Sequence, residues 1–138
     1  DFYDRSRALA AALLAAGLNK GDRVATLCWN HHAHLECYFG IPAAGGVLHT
    51  LNLRLSPEEI GWIAADAQDR ILVIDDILLP LYEQFKHLHA FEHVIVFPFS
   101  GAPVPDAMRT GIISVLSRRF ETLTWKRTRP GRRANEQE

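Results

Sequence analysis

The sequence predicts an α/β fold: a partial parallel sheet with right-handed βαβ crossovers, followed by an irregular tail. Three observations carry that prediction. Short runs that alternate with helices and are almost free of charge, at residues 23–29, 47–51, 70–74 and 92–97, read as strands buried on both faces, where parallel strands sit. Helix-forming runs precede and separate them, giving the order α-β-α-β-α-β-α-β and connections long enough to join parallel neighbours. Finally, 138 residues with 48% hydrophobic and 22% charged content suit one ordinary domain, or part of a larger one, and argue against disorder.

The elements follow in order. Residues 5–16 form an Ala/Leu-rich run of high helix propensity, with Leu9, Leu13 and Ala16 on one face. Gly17 is a natural left-handed stop, and Leu18 supplies the apolar contact that accompanies it. The turn Asn19-Lys20-Gly21-Asp22 leads into a strand over 23–29. Asn30 is expected to cap the next helix, which starts near His31 and is bent or ended by Pro42. Gly45-Gly46 breaks the chain before a short strand over 47–51, a turn needing positive φ. Ser56-Pro57-Glu58-Glu59 is the clearest local signal: Ser56 caps, Pro57 fits the first helical position, and Glu59 closes a capping box on a helix reaching about Ala67. A strand over 70–74 precedes Asp75-Asp76, read as the start of a helix running to about Phe85 with Pro80 in its first turn. The last strand, over 92–97, ends at Pro98. Beyond Pro105 the pattern fails: residues 112–116 read as a strand or a helical turn, and 125–138 show no periodicity.

Charge divides the chain. Residues 1–106 carry 7 Lys and Arg against 13 Asp and Glu, whereas 107–138 carry 8 against 3, so two domains are expected: an α/β unit over 1–106 and an atypical basic tail over 107–138. The net charge of −1 excludes an overall basic nucleic-acid binder. Two cysteines, Cys28 and Cys37, make neither a disulfide scaffold nor a four-ligand zinc site, and point to a reducing compartment. No run is long and apolar enough to read as a membrane span, and no signal peptide opens the chain. The sequence begins at Asp1 with its single methionine at Met108, from which an incomplete chain is expected.

In a parallel sheet, ligands bind beyond the carboxyl ends of the strands. The positions to inspect are therefore Asn30-His31-His32, Thr50-Leu51-Asn52, Asp75-Asp76 and Pro98-Phe99-Ser100-Gly101. None is a phosphate loop, and no Gly-Lys-Ser/Thr occurs in the chain. His31 and His34 share a helical face beside His32, but spacing supplies no acidic or cysteine partner to complete a zinc site. Cys28 reads as core, and Cys37 as a mid-helix thiol without a cationic neighbour. Asp75-Asp76 reads as a helix cap rather than an acid–base pair, and Asn52 with Arg54 reads as surface loop or as a contact to a substrate domain. On the residues alone the chain has a fold signal and no catalytic, cofactor-binding or metal residue to name.

A resemblance extends this reading. Phe2-Tyr3-Asp4-Arg5-Ser6-Arg7-Ala8-Leu9-Ala10, Gly21-Asp22-Arg23-Val24-Ala25 and residues 43–55 (Ala-Ala-Gly-Gly-Val-Leu-His-Thr-Leu-Asn-Leu-Arg-Leu) resemble the adenylate-forming, AMP-dependent synthetases and ligases. Residues 49–55 are similar to the medium- and long-chain fatty-acid–CoA ligase branch, and the likeness covers residues 1–106. The resemblance implies the N-terminal subdomain of that fold, forming a wall of a larger ligase. It implies an enzyme that uses ATP and Mg²⁺ to turn a fatty acid into an acyl-adenylate, then transfers the acyl group to coenzyme A. The family's phosphate loop, its Tyr-Gly-x-Thr-Glu stretch and its catalytic lysine have no counterpart in this chain. The fragment is therefore expected to be inactive alone, to bind none of these cofactors, and to leave an apolar face exposed. A cytoplasmic location is expected, with peripheral membrane contact left open, and no nucleic-acid partner.

The tail keeps two readings. Back-translating residues 125–130 with CGN arginine codons and shifting the frame by one base permits Met-Glu-Thr-Asp-Ala-Ala-Gly, similar to the family's approach to its phosphate loop. A frame slip after about Asp106 is one reading, and the coding DNA tests it. The other is a stand-alone flavodoxin-like binding module whose basic arm takes nucleic acid or an anionic membrane.

Overall fold

The structure, a computed structural model, describes residues 1–101 and the backbone of a short strand at Ser114–Val115. The order is α1 (Phe2–Ala15), β1 (Arg23–Leu27), α2 (His32–Ala43), β2 (Val47–Thr50), α3 (Pro57–Asp66), β3 (Ile71–Asp75), α4 (Leu79–Phe85), β4 (His93–Phe97) and β5 (Ser114–Val115). A single 3-10 turn, Asp76–Leu78, leads into α4. The sheet is parallel throughout, ordered β2-β1-β3-β4-β5. β5 lies within the span read as tail; the remaining calls on residues 102–138, including the frame slip and the basic arm, fall outside the described residues.

Helix ends follow local chemistry. α1 starts earlier than the Ala/Leu run suggests because the Asp1 carboxylate accepts the Asp4 N–H at 2.9 Å. It ends in a Schellman motif: Gly17, at φ +89°, donates to Leu14 O, and Leu18 N–H reaches Leu13 O. The same pair of bonds closes α2, with Gly45 at φ +84° donating to Pro42 O and Gly46 to Ile41 O. It closes α3 too, but there Gln68 occupies the left-handed position at φ 54°. The capping box on α3 forms as read: Ser56 N–H and Oγ donate to the Glu59 carboxylate at 2.9 Å, and Glu59 N–H returns to Ser56 Oγ.

Strand residues alternate between two faces, so each layer has its own core. Val24, Ile71, Val73, Ile95 and Phe97 pack with Leu9, Leu13 and Ile41 of α1 and α2. Ala25, Leu27, Leu72, Ile74, Val94 and Val96 pack with Ile60 of α3 and with Leu79 and Phe85 of α4. The chain thus leaves β1 along the α1/α2 face to reach β2, then returns along the α3/α4 face to reach β3. Right-handed crossovers require such a change of face when the direction of winding reverses. The reversal makes the gap between the carboxyl ends of β1 and β3 a topological switch point.

The opposite end of the sheet is closed by polar groups. Arg70 donates to Gly17 O at 2.7 Å, to Asp22, and to Glu92 at 2.5 Å, while His93 Nε2 donates to Ala16 O. His49 Nδ1 donates to both oxygens of the fully buried Asp69 at 2.7 and 2.8 Å. Among the described residues, no helix is long and apolar enough to cross a membrane.

Candidate functional site

The switch point is occupied by the chain's own residues. β3 is apolar along its whole length until Asp75, whose side chain is fully buried. A carboxylate there has no access to water and must be met by donors. Both its oxygens are met: Oδ2 accepts the Trp29 N–H at 2.8 Å, and Oδ1 accepts from His31 Nε2 at 2.7 Å. Asp75, the last residue of β3, therefore ties that strand to the residues just beyond β1.

His31 is fixed from four sides. Its Nδ1 accepts the His34 N–H at 3.3 Å, capping α2, so the ring hydrogen sits on Nε2 and points at Asp75. The ring stacks with Phe97 at 4.9 Å and with Phe99 at 5.0 Å. The expected cap, Asn30, is thus corrected: Asn30 is exposed and His31 caps, because Asp75 holds the imidazole in the tautomer that leaves Nδ1 free to accept.

Asp75 and Asp76 are a second correction. Asp75 makes no side-chain cap bond to the turn that follows it. Its partners lie 44 and 46 residues away, which spacing alone does not reveal. Asp76 accepts from Ile77 N–H at 2.8 Å, from Ser100 N–H at 3.1 Å, and from Ser100 Oγ. The pair pins two loops, Asp75 holding the exit of β1 and Asp76 the exit of β4.

A cleft of about 400 Å³ opens beside this cluster, lined by Arg5, His31, His32, Phe97, Pro98 and Phe99. Arg5 is anchored by its Nε, which donates to Glu36 at 2.6 Å. His32 meets Phe97 edge-on at 5.5 Å. His34 lies apart, its Nε2 sharing a hydrogen bond with Thr26 Oγ1 at 3.0 Å, and burial pushes its pKa below the ordinary value. The three histidines do not converge, and among the described residues no group of three or more His, Cys, Asp and Glu is placed to hold a metal ion.

The other inspected positions take structural roles. Asn52 Oδ1 accepts the Arg54 N–H at 3.0 Å in a local turn outside the cleft, and Arg54 is exposed. Leu51 N–H extends the ladder to Thr26 O. Cys28 is buried, its thiol donating to Val73 O at 3.6 Å, and burial raises its pKa strongly. Burial likewise pushes Cys37 up to about 12. The Asp75–His31 unit, the Phe97/Phe99 stack and the place of Arg5 in the cleft are not apparent from motif reading. The available signal was an acid ending a wholly apolar strand.

Known proteins share this fold. The profile of the AMP-binding enzyme family matches residues 1–112. A long-chain-fatty-acid–CoA ligase of Thermus thermophilus is 48% identical over 97 residues, which is 70% of this chain and 18% of that protein. A medium-chain-fatty-acid–CoA ligase of Ectopseudomonas oleovorans is 44% identical over 77 residues, or 56% of this chain and 14% of that one. Among solved structures, the anthranilate CoA ligase AuaEII in complex with anthranoyl-AMP superposes with a TM-score of 0.67 at 25% identity, over 80% of this chain and 22% of that one. The chain spans less than a fifth of the length of these curated relatives.

Proposed function

The chain belongs to the AMP-binding enzyme family, and from that premise we propose that it is a segment of an ATP-dependent acyl-CoA ligase acting on fatty acids. The observation that carries the substrate class is the identity of 48% and 44% to ligases named for long- and medium-chain fatty acids. In this reading residues 1–106 are the N-terminal α/β unit of the ligase. The complete enzyme would join a fatty acid to the AMP part of ATP with release of pyrophosphate, and coenzyme A would then displace AMP.

Among the described residues, no group of His, Cys, Asp and Glu is placed to hold the metal ion that accompanies ATP. Both Asp75 oxygens and both His31 nitrogens are committed to partners within the chain. The lining of the cleft brings two phenyl rings, the His31 and His32 imidazoles, Pro98 and one guanidinium whose Nε is paired with Glu36, and no carboxylate. No step of the reaction is therefore assigned to these residues. Their role is to hold the loops at the switch point in one arrangement, against which the remainder of the ligase is built.

The test is a hybrid in which this chain's matching residues replace those of the Thermus thermophilus ligase. Fatty-acid-dependent exchange of pyrophosphate into ATP is the expected result. A folded hybrid with no exchange for any fatty acid overturns the reading.

A further inference from the structure

We propose that residues 125–133 of this chain, Trp-Lys-Arg-Thr-Arg-Pro-Gly-Arg-Arg, dock intramolecularly in the groove along the outer side of α3. The contact lies away from the switch point and is independent of the ligase reaction.

The groove has a volume of about 470 Å³ and is lined by Leu55, Glu58, Glu59, Trp62 and Ile63. Its floor is apolar, and Trp62, at 67%, is the most exposed of the large hydrophobic residues described. Its rim is acidic. Glu58, Trp62 and Asp66 recur every four residues and so share one side of α3, with Glu59 beside them. All three acids are exposed, and among the described residues none of them is in an ion pair. Residues 55–69 hold no Lys or Arg. The flanking bases are Arg54, before the groove, and Arg70, which is engaged by Asp22 and Glu92 at the far end of the sheet.

Such a surface selects a segment that joins an aromatic ring to several cations. Residues 125–133 carry one Trp, five Lys and Arg, and no acid. An arginine can lie on the Trp62 face while pairing with a carboxylate one helical turn away, and its stem covers apolar surface. The other helices lack this combination. α2 exposes Tyr38 and Phe39, but none of its exposed residues is acidic. On α4 the exposed Glu83 is already paired with Lys86.

Topology brings the segment within reach. β5 runs parallel to β4, so the chain leaves Val115 at the carboxyl end of the sheet, the end at which β2 passes into α3. Ile60 seats α3 on β1 and β3, at most three strand spacings from β5, about 15 Å, and one layer of about 10 Å off the sheet. Ten residues separate Val115 from Trp125, and ten extended residues span about 33–36 Å.

Hydroxyl-radical footprinting of the full 138-residue chain, read by mass spectrometry, gives the oxidation rate of Trp62 separately from those of Trp29 and Trp125. The expected result is a protected Trp62 at low salt, its rate rising about threefold or more in Arg127→Glu/Arg129→Glu and in wild type at about 1 M salt, while Trp29 is unchanged. Glu58→Lys/Asp66→Lys also loses protection, and regains it when combined with the reversed tail. Carbodiimide is expected to join Lys126 to Glu58 or Glu59 within one chain. The salt comparison needs no substitution, and urea unfolding checks that each variant is folded. Equal Trp62 rates in wild type and the reversed tail overturn the proposal, as does failure of the combined reversal to restore protection. Lys126 cross-links that join isotopically distinct copies place the tail on a second chain and overturn it. An unprotected Trp62, with Trp125 protected only on phosphatidylserine–phosphatidylcholine vesicles, assigns the tail to a membrane and overturns it too.

Discussion

Replacing Asp75 separates the two roles given to its carboxylate. In Asp75→Ala the Trp29 N–H and the His31 Nε2–H both lose their acceptor in a site closed to water on the Asp75 side. A buried donor left unpaired costs about 1–3 kcal/mol, so the pair costs about 2–4 kcal/mol once partial hydration of the His31 edge is allowed for. Asp75→Asn behaves differently. Its amide oxygen still accepts from Trp29, while its NH₂ faces His31 and forces the ring hydrogen from Nε2 to Nδ1. Nδ1 can then no longer accept the His34 N–H, and the loss is that of one helix cap, about 1 kcal/mol. Urea unfolding followed by tryptophan fluorescence gives the two costs, and nitrogen chemical shifts of His31 report the tautomer. The reasoning fails if Asn costs as much as Ala, if Ala costs less than about 0.5 kcal/mol, or if the His31 tautomer is the same in wild type and Asp75→Asn.

Further outcomes follow from the same structure. Gln68→Gly relieves a non-glycine left-handed residue at the end of α3 and raises stability by about 0.5–1 kcal/mol, read as a higher urea midpoint at unchanged slope. Gly40→Ala places a methyl 2.9 Å from both Leu9 Cδ2 and Ser6 O at the α1/α2 crossing, and overpacking there costs about 1–3 kcal/mol by the same assay. Burial holds His34 below its ordinary 6.5, so its contribution is complete above that pH and is lost as pH falls through the lowered folded value. Unfolding titrations against pH show this slope in the wild type and a flatter one in His34→Gln. Both thiols are buried with raised pKa values, so a thiol reagent labels neither Cys28 nor Cys37 until urea unfolds the chain.

Local chemistry was legible in the sequence wherever a few neighbouring residues decide it. Ser56, Pro57 and Glu59 meet within one turn, and Gly17 and Gly45 supply positive φ where Schellman motifs demand it. The alternation of buried runs and helices gave the parallel sheet, because strands covered on both faces leave few alternatives. The sequence points to Asn30 instead of His31 as the cap of α2 for the converse reason. Asparagine is the better cap in isolation, but His31 becomes one when Asp75, 44 residues away, fixes its tautomer. Gln68 hid the third Schellman motif because glutamine carries no left-handed signature. The inward Glu36 and outward Phe39 were equally hidden, since a helix with apolar residues on every side has no periodicity to orient it.

The central claim is that this chain supplies a wall of a fatty-acyl ligase while the chemistry lies in the rest of the polypeptide. Formation of acyl-CoA thioester from ATP, a fatty acid and coenzyme A, measured side by side for the isolated chain and the hybrid ligase, tests it most directly. Thioester from the hybrid alone is the predicted result. Thioester made by the isolated chain, or none from a folded hybrid, contradicts the account.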